Sequence, residues 1–119
     1  MKRLKIIALA ALSVVNCHAI LDENLQPKDA ETLLADIVEQ SEIKYPGNYS
    51  LQNTYLKVES EAVQNIISFA VENAKDRDMV KILAAASIKF PKSYNLQWVY
   101  IKTQVEAYHK VRRIKSQIE

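Results

Sequence analysis

Glycine is almost absent from the chain, which contains one glycine, Gly47, in 119 residues. Tight connections between β-strands need glycine where the backbone takes positive φ, so this scarcity argues against a sheet. Ala, Leu, Lys, Glu and Gln are abundant, and these residues favour helices. The composition therefore predicts an all-α protein whose helices are joined by short connections.

Cysteine and histidine are also scarce, because the chain has only Cys17, His18 and His109 of these two types. No disulfide can form within the chain. His109 is the only imidazole beyond the first nineteen residues, so a nucleophilic triad has one candidate base. The sequence also contains no glycine-rich phosphate loop. We therefore predict that the protein is not an enzyme and that it binds no cofactor.

The first nineteen residues have the pattern of a signal peptide. Lys2, Arg3 and Lys5 precede an apolar run over residues 6–15, which is too short to span a bilayer. Small residues then allow cleavage after Ala19. We predict an exported protein, periplasmic or secreted, with residues 1–19 as a signal peptide and residues 20–119 as a single helical domain.

Lipid anchoring is the alternative interpretation of this segment. Cys17 would then be the lipidated residue. Asn16 disfavours this alternative, because a small residue usually precedes the cysteine of a lipoprotein signal. The sequence therefore favours cleavage over lipidation.

Charge is divided unequally along the predicted mature chain. Residues 20–74 hold three lysines and ten acidic residues, whereas residues 75–119 hold ten basic and four acidic residues. The near-neutral total gives no reason to expect binding to nucleic acid. The two halves can attract one another within a molecule or associate head to tail between molecules, or the basic end can touch an anionic surface.

The second half of the domain repeats the first at a shift of 45 residues. Residues 43–63 and 88–108 are identical at ten of twenty-one positions without a gap, whereas composition alone gives about one or two. Each copy is predicted as helix, proline turn and helix, over about residues 27–73 and 76–116. We expect these two tandem hairpins to pack as a four-helix bundle or a short α-solenoid.

Residues 76–107 resemble part of a tetratricopeptide repeat. An alanine-rich helix ends at Phe90-Pro91, and an aromatic-rich helix follows from Tyr94. The period of 45 residues is longer than the usual length of about 34. The resemblance implies a protein-binding scaffold without catalytic residues, and no position matches a ligand-contacting motif of that family.

Two apolar stripes run along the last helix. The first contains Leu96, Tyr100, Thr103 and Ala107, and we expect it in the core. The second is the candidate partner surface, which consists of Tyr94, Trp98, Ile101, Val105 and Tyr108. This stripe either closes a four-helix bundle or forms an exposed interface with a protein partner or with a second copy.

Two further groups of charged residues lie near the end of the chain. Glu106 and His109 have the spacing of a di-iron motif, but the first copy has Gln64 in place of the histidine, so we predict no metal site. The candidate basic end consists of Lys110, Arg112, Arg113 and Lys115. Basic residues at this position stabilise the helix dipole, and contact with a membrane surface is the less favoured alternative.

These observations predict a small exported helical protein that acts as a protein-binding module without catalysis. The alternative is a structural or self-assembling, homo-oligomeric envelope protein.

Overall fold

The computed structural model describes residues 20–24 and 26–119. The predicted signal peptide, including Cys17, lies outside these residues. The described chain forms four helices, which are α1 (Ala30–Lys44), α2 (Tyr49–Glu72), α3 (Arg77–Lys89) and α4 (Tyr94–Ile118). No strand lies within the described ranges apart from an isolated bridge between Leu21 and Pro27. The prediction of an all-α protein is confirmed.

A polar side chain caps the N-terminus of each helix. Asn48 Oδ1 accepts the Leu51 amide at 3.1 Å, and Ser93 Oγ accepts the Leu96 amide at 3.3 Å, as their positions after the two prolines predict. Asp29 Oδ1 accepts the Thr32 amide at 2.7 Å. Because Asp29 is the cap, α1 begins at Ala30 and not at Pro27 as its sequence suggests.

The turn between α1 and α2 is held by three side-chain contacts. The Gln52 side-chain amide donates to the Tyr45 carbonyl at 2.8 Å. The rings of Tyr45 and Tyr55 meet edge to face at 6.3 Å, and the Lys44 ammonium lies 5.1 Å from the Tyr55 ring centre. Gly47 takes a φ of 73° here, a conformation in which other residues are strained.

The turn between α3 and α4 contains the same three contacts. The Gln97 side-chain amide donates to the Phe90 carbonyl at 2.8 Å. The rings of Phe90 and Tyr100 meet edge to face at 6.1 Å, and the Lys89 ammonium lies 5.5 Å from the Tyr100 ring centre. Each of these residues lies 45 positions after its counterpart in the first turn.

The second helix occupies the centre of the fold, since α2 packs against α1, α3 and α4. The fourth helix packs against α2 and α3. The core between the helices includes Leu33, Ile37, Ala62, Val63, Ile66, Ile67, Leu83, Ala86, Tyr94 and Ile101. Among the described helices, none combines the length and the apolarity needed to cross a bilayer.

The segment before α1 also belongs to the core. The Ile20 side chain is completely buried and lies in the same apolar cluster. The Leu21 amide donates to Ser87 Oγ of α3 at 3.2 Å, and the Lys28 amide donates to the Ile20 carbonyl at 2.9 Å. Residues 20–28 therefore tie α1 to the second hairpin.

The fourth helix buries the opposite stripe from the one that we expected in the core. Tyr94 and Ile101 are buried, and Trp98 and Val105 pack against the core. By contrast, Leu96 is 47% exposed, and Thr103 and Ala107 are exposed. The reason is size, because the stripe with large aromatic and branched side chains removes more apolar surface from water.

Candidate functional site

A buried polar network joins the N-terminal segment, α1 and α4. The Lys28 ammonium donates to Asp36 Oδ2 at 2.8 Å and to the Tyr94 hydroxyl at 3.1 Å. The Tyr94 hydroxyl donates to the same Asp36 oxygen at 2.8 Å. The side chains of Lys28 and Asp36 are 7% and 16% exposed. Lys28 and Asp36 thus form an ion pair that the Tyr94 hydroxyl bridges. Each of the three side chains has a hydrogen-bond partner.

The electrostatics of the network fix its protonation state. Burial favours the neutral form of Asp36, but the hydrogen bonds from Lys28 and Tyr94 and the lysine charge outweigh it, so the pKa of Asp36 lies below its ordinary value. Burial, followed by the hydrogen bond to Asp36 and its charge, raises the pKa of Tyr94 well above its ordinary value. At neutral pH Asp36 is therefore charged and Tyr94 is neutral, which keeps the ion pair and its hydrogen bonds in place.

A second buried carboxylate, Glu59 of α2, lies at the N-terminus of α4. Its side chain accepts the Tyr94 amide at 2.6 Å and the Asn95 amide at 3.2 Å, and the Ser93 hydroxyl lies at 3.5 Å. Glu59 is only 3% exposed. The first amides of a helix have no partner within it and carry partial positive charge, so they stabilise this carboxylate.

An open groove lies beside Glu59, between the N-terminal parts of α2 and α4. Its volume is about 360 Å³, and its apolar wall includes the exposed side chains Leu51, Val58 and Leu96. The Tyr55 hydroxyl lines the groove and finds no hydrogen-bond partner within the described part of the chain. Burial and then the charge of Glu59 raise the pKa of Tyr55 to about 12. The groove thus combines an apolar wall with a neutral phenol.

A mostly apolar row, here termed the distal face, continues from this groove along α4, and all of its members are exposed except the half-buried Tyr100. It consists of Leu96, Tyr100, Thr103, Ala107, Val111, Ile114 and Ile118. The spacings of three and four residues place these positions on one side of the helix, and the row is about 33 Å long. Val111 and Ile114 are 50% and 52% exposed. The distal face lies opposite the stripe that α4 buries against α2 and α3.

The sequence-based candidate partner surface lies largely inside the fold. Tyr94 and Ile101 are each 1% exposed, and Trp98 and Val105 are half-buried. The ring of Trp98 meets Phe69 of α2 edge to face at 6.2 Å. This stripe therefore closes the helical packing, which was one of its two predicted roles, and it is not an exposed surface in this structure.

Tyr108 is the last member of that stripe and makes the last contact of α4 with the rest of the fold. Its hydroxyl donates to Asp78 Oδ2 of α3 at 2.9 Å. The candidate basic end follows it, and Lys110, Arg112, Arg113 and Lys115 are all exposed. Arg112 lies over the Tyr108 ring, with 6.0 Å between the guanidinium carbon and the ring centre. The basic residues therefore share the free end of α4 with the distal face.

The pair Glu106 and His109 is not joined by further metal ligands. Both side chains are exposed, and the His109 ring meets Tyr108 edge to face at 5.5 Å. Within residues 20–24 and 26–119, no group of three or more candidate ligands could hold a metal ion.

Sequence reasoning missed Lys28, Asp36 and Glu59 as members of buried networks. Their partners lie between 8 and 66 residues away along the chain, so no local motif reveals them. One signal for Glu59 was available, because it lies near Tyr55, Ala62 and Ile66 on the helix face that enters the core. A carboxylate at such a position requires a partner.

Comparison of the chain with protein-family models, with curated protein sequences and with solved structures found no match.

Proposed function

We propose that this chain is a small exported helical protein that binds another protein and catalyses no reaction. The observation that supports this proposal is the distal face, which is exposed between Leu96 and Ile118 except at the half-buried Tyr100. A continuous apolar row of this length is unusual at the surface of a protein that acts alone, and such surfaces are typical of binding sites. The groove beside Tyr55 extends the same surface, because Leu96 belongs to both.

The polar groups of the fold support a binding role over a catalytic one. The charges of Lys28 and Asp36 pair with each other, and Glu59 is bound to the first amides of α4. These groups hold segments of the chain together through their hydrogen bonds, and Glu59 also borders the groove. The exposed groups at the distal face are apolar or basic, which suits recognition of a macromolecule.

The proposed export depends on the pattern of residues 1–19. Cleavage after Ala19 would leave Ile20 as the first residue, and its side chain is part of the core. The proposed mature chain therefore keeps this core residue. We propose that it acts in the periplasm or outside the cell.

We also propose that the two hairpins are copies of one unit, similar to a tetratricopeptide repeat with a longer period. The identical positions at a shift of 45 residues support this proposal. So do the matching contacts of the two turns, where a glutamine, an aromatic pair and a lysine occur at equivalent positions. Repeat scaffolds of this kind bind proteins through faces that are built from their helices.

Site-specific photo-crosslinking tests the binding proposal. A photoreactive amino acid replaces Ile114 on the distal face of the full-length chain, which is expressed in its native host and irradiated. We expect an adduct of defined mass between this chain and one protein, which mass spectrometry then identifies. The matched control carries the same amino acid at Ile88 of α3, which is also exposed, at 64%.

The contrast between the two positions decides the result. An adduct at Ile114 and none at Ile88 supports the distal face as a binding surface. Irradiated chains that form no adduct at Ile114, or that form the same adducts at both positions, overturn the proposal.

A further inference from the structure

The C-terminal part of the distal face of α4 corresponds to a surface that the first hairpin buries. Ala107, Val111 and Ile114 lie 45 residues after Ala62, Ile66 and Phe69 of α2. Ala62 and Ile66 are 2% and 0% exposed, and Phe69 is half-buried, because the second hairpin covers them. No described residue covers the equivalent positions of α4 in the same way. This part of the distal face therefore exposes positions whose counterparts in the first hairpin are covered.

The first hairpin has the complementary open surface, here termed the proximal face, which consists of Glu39, Glu42, Tyr49 and Asn53. These residues lie 45 positions before Ala84, Ser87, Tyr94 and Trp98. In the second hairpin these four counterparts are buried or half-buried. All four proximal residues are exposed, and Tyr49 is 79% exposed where Tyr94 is 1% exposed.

The buried counterparts of the two faces touch each other within the chain. The ring of Phe69, which is the counterpart of Ile114, meets the ring of Trp98, which is the counterpart of Asn53, at 6.2 Å. Within the chain, a residue equivalent to one of the distal face thus contacts a residue equivalent to one of the proximal face. Among the described residues, each hairpin thus exposes one surface whose counterpart in the other hairpin is covered.

Charge favours a contact between these two surfaces. Ten acidic residues against three lysines lie in residues 20–74, and ten basic residues against four acidic residues lie in residues 75–119. Within the part of the chain that the structure describes, the one ion pair joins Lys28 to Asp36, which both belong to the acidic half. The charged residues of the two halves therefore form no ion pairs with each other in the described residues. They remain available to attract a second molecule.

We propose that the distal face of one copy binds the proximal face of a second copy, so that the chains associate head to tail. This inference rests on the proposed function and names the partner as the same chain. The contact repeats the packing of the second hairpin on the first, with Ile114 of one molecule beside Tyr49 and Asn53 of the next. It is heterologous, so it extends to an open filament or closes as a ring.

Pairing of two distal faces is the competing symmetric arrangement. It brings together two α4 helices that both carry Lys110, Arg113 and Lys115. Like charges at close range oppose this arrangement, whereas the head-to-tail contact joins the basic half of one molecule to the acidic half of the next.

Two variants of the full-length chain, purified separately and then mixed, test the proposal. Ile114→Asp disables the distal face and keeps the proximal face. Glu39→Lys with Glu42→Lys disables the proximal face and keeps the distal face. Circular dichroism confirms that each variant is folded, and Ile88→Asp serves as the control with an equally exposed isoleucine on α3. Sedimentation velocity then measures the size of each species.

We expect the wild type and Ile88→Asp to form oligomers that grow with protein concentration. Each of the other two variants alone should be a monomer, and their mixture should form a one-to-one dimer that does not grow further. Raising the salt from about 50 to 500 mM should weaken the association at least about tenfold, because the attraction between exposed charges is screened.

A wild type that stays monomeric at all concentrations overturns the proposal, and so does a mixture that contains no dimer. If Glu39→Lys with Glu42→Lys still self-associates, the contact is between distal faces and the head-to-tail arrangement is wrong. A monomeric wild type that nonetheless gives an adduct with a different protein at Ile114 leaves the proposed function standing and refutes this inference alone. The absence of both oligomer and adduct refutes both.

Discussion

Glu59 is the residue on which the contact between the two hairpins most depends. It belongs to the middle of α2, yet its carboxylate binds the amides of Tyr94 and Asn95 at the start of α4. The usual cap of a helix is local, and Ser93 fills that role here. Glu59 adds a second cap from another helix and so fixes the position of α4 along α2.

Replacement of Glu59 by alanine should lower the free energy of unfolding by about 2–3 kcal/mol, because buried amides lose their acceptor. Glu59→Gln keeps an acceptor without the charge and should cost about 1 kcal/mol. Urea denaturation followed by circular dichroism measures both values. The control is Glu61→Gln, two residues away and exposed, which should change stability by less than about 0.5 kcal/mol. Equal effects at the two positions would contradict the role of Glu59.

Asp36 should make stability depend on pH in the acid range. Its pKa is lower in the folded chain than the ordinary value of 3.8, so its contribution is present above that value and is lost as the pH falls through the folded pKa. Asp36→Asn removes this contribution and leaves the buried Lys28 charge without its partner. We expect a loss of about 3 kcal/mol near pH 7 that shrinks towards pH 2.

Urea denaturation at a series of pH values measures this difference between Asp36→Asn and the wild type. Glu39→Gln, three residues along the same helix and exposed, is the control. It should follow the wild-type curve throughout. A difference between Asp36→Asn and the wild type that is independent of pH would show that the carboxylate charge does not stabilise the fold.

At the scale of the elements, the segment before α1 packs into the core beside the four helices. Residues 20–28 have no regular helix, yet they insert Ile20 into the core and reach α3 through Ser87. They also supply Lys28 to the network around Tyr94. This segment bridges the two hairpins on the side where α1 and α3 do not contact each other.

We therefore expect Ile20→Ala to destabilise the protein by about 2–4 kcal/mol, as for other large-to-small changes in a core. Thermal or urea unfolding of the full-length variant measures the loss. Ile43→Ala is the matched control, because Ile43 is 62% exposed on α1 and should change stability by less than about 0.5 kcal/mol. A silent Ile20→Ala would mean that the segment does not close the core in solution.

The helices and their caps were predictable from the sequence because their signals are local. Asn48 and Ser93 follow a proline turn and precede an apolar repeat, and both are caps in the structure. The assignment of the two stripes of α4 was not predictable in the same way. Periodicity shows that a helix has two apolar sides, but which side meets a neighbour depends on packing between distant segments. Leu96, which we expected in the core, is therefore exposed, whereas Tyr94 takes the buried one of its two predicted roles.

At the scale of the whole molecule, the acidic and basic halves of the described chain are not joined by ion pairs. The attraction between halves that the sequence allows does not take the form of ion pairs between them in the described residues, where Lys28 and Asp36 are the one pair. The sequence shows that charge is divided unequally between the two halves. It does not show which surface these charges contact. The structure adds that each half exposes a surface whose counterpart in the other half is covered.

The proposed processing of the chain gives a prediction at this scale. Protein recovered from the periplasm or the medium should begin at Ile20, because residues 1–19 have the pattern of a cleaved leader. N-terminal sequencing or intact-mass measurement checks this. A retained leader, or an N-terminal mass that corresponds to a lipid on Cys17, would contradict it.

The cap that Glu59 supplies to α4 has a consequence for the order of folding. While only the first hairpin has formed, the Glu59 carboxylate has no amides of Tyr94 and Asn95 to accept, and burying it alone is costly. The start of α4 in turn lacks its second acceptor until α2 is in place. Neither hairpin therefore gains its full stability separately, so the two hairpins should unfold together in one cooperative transition.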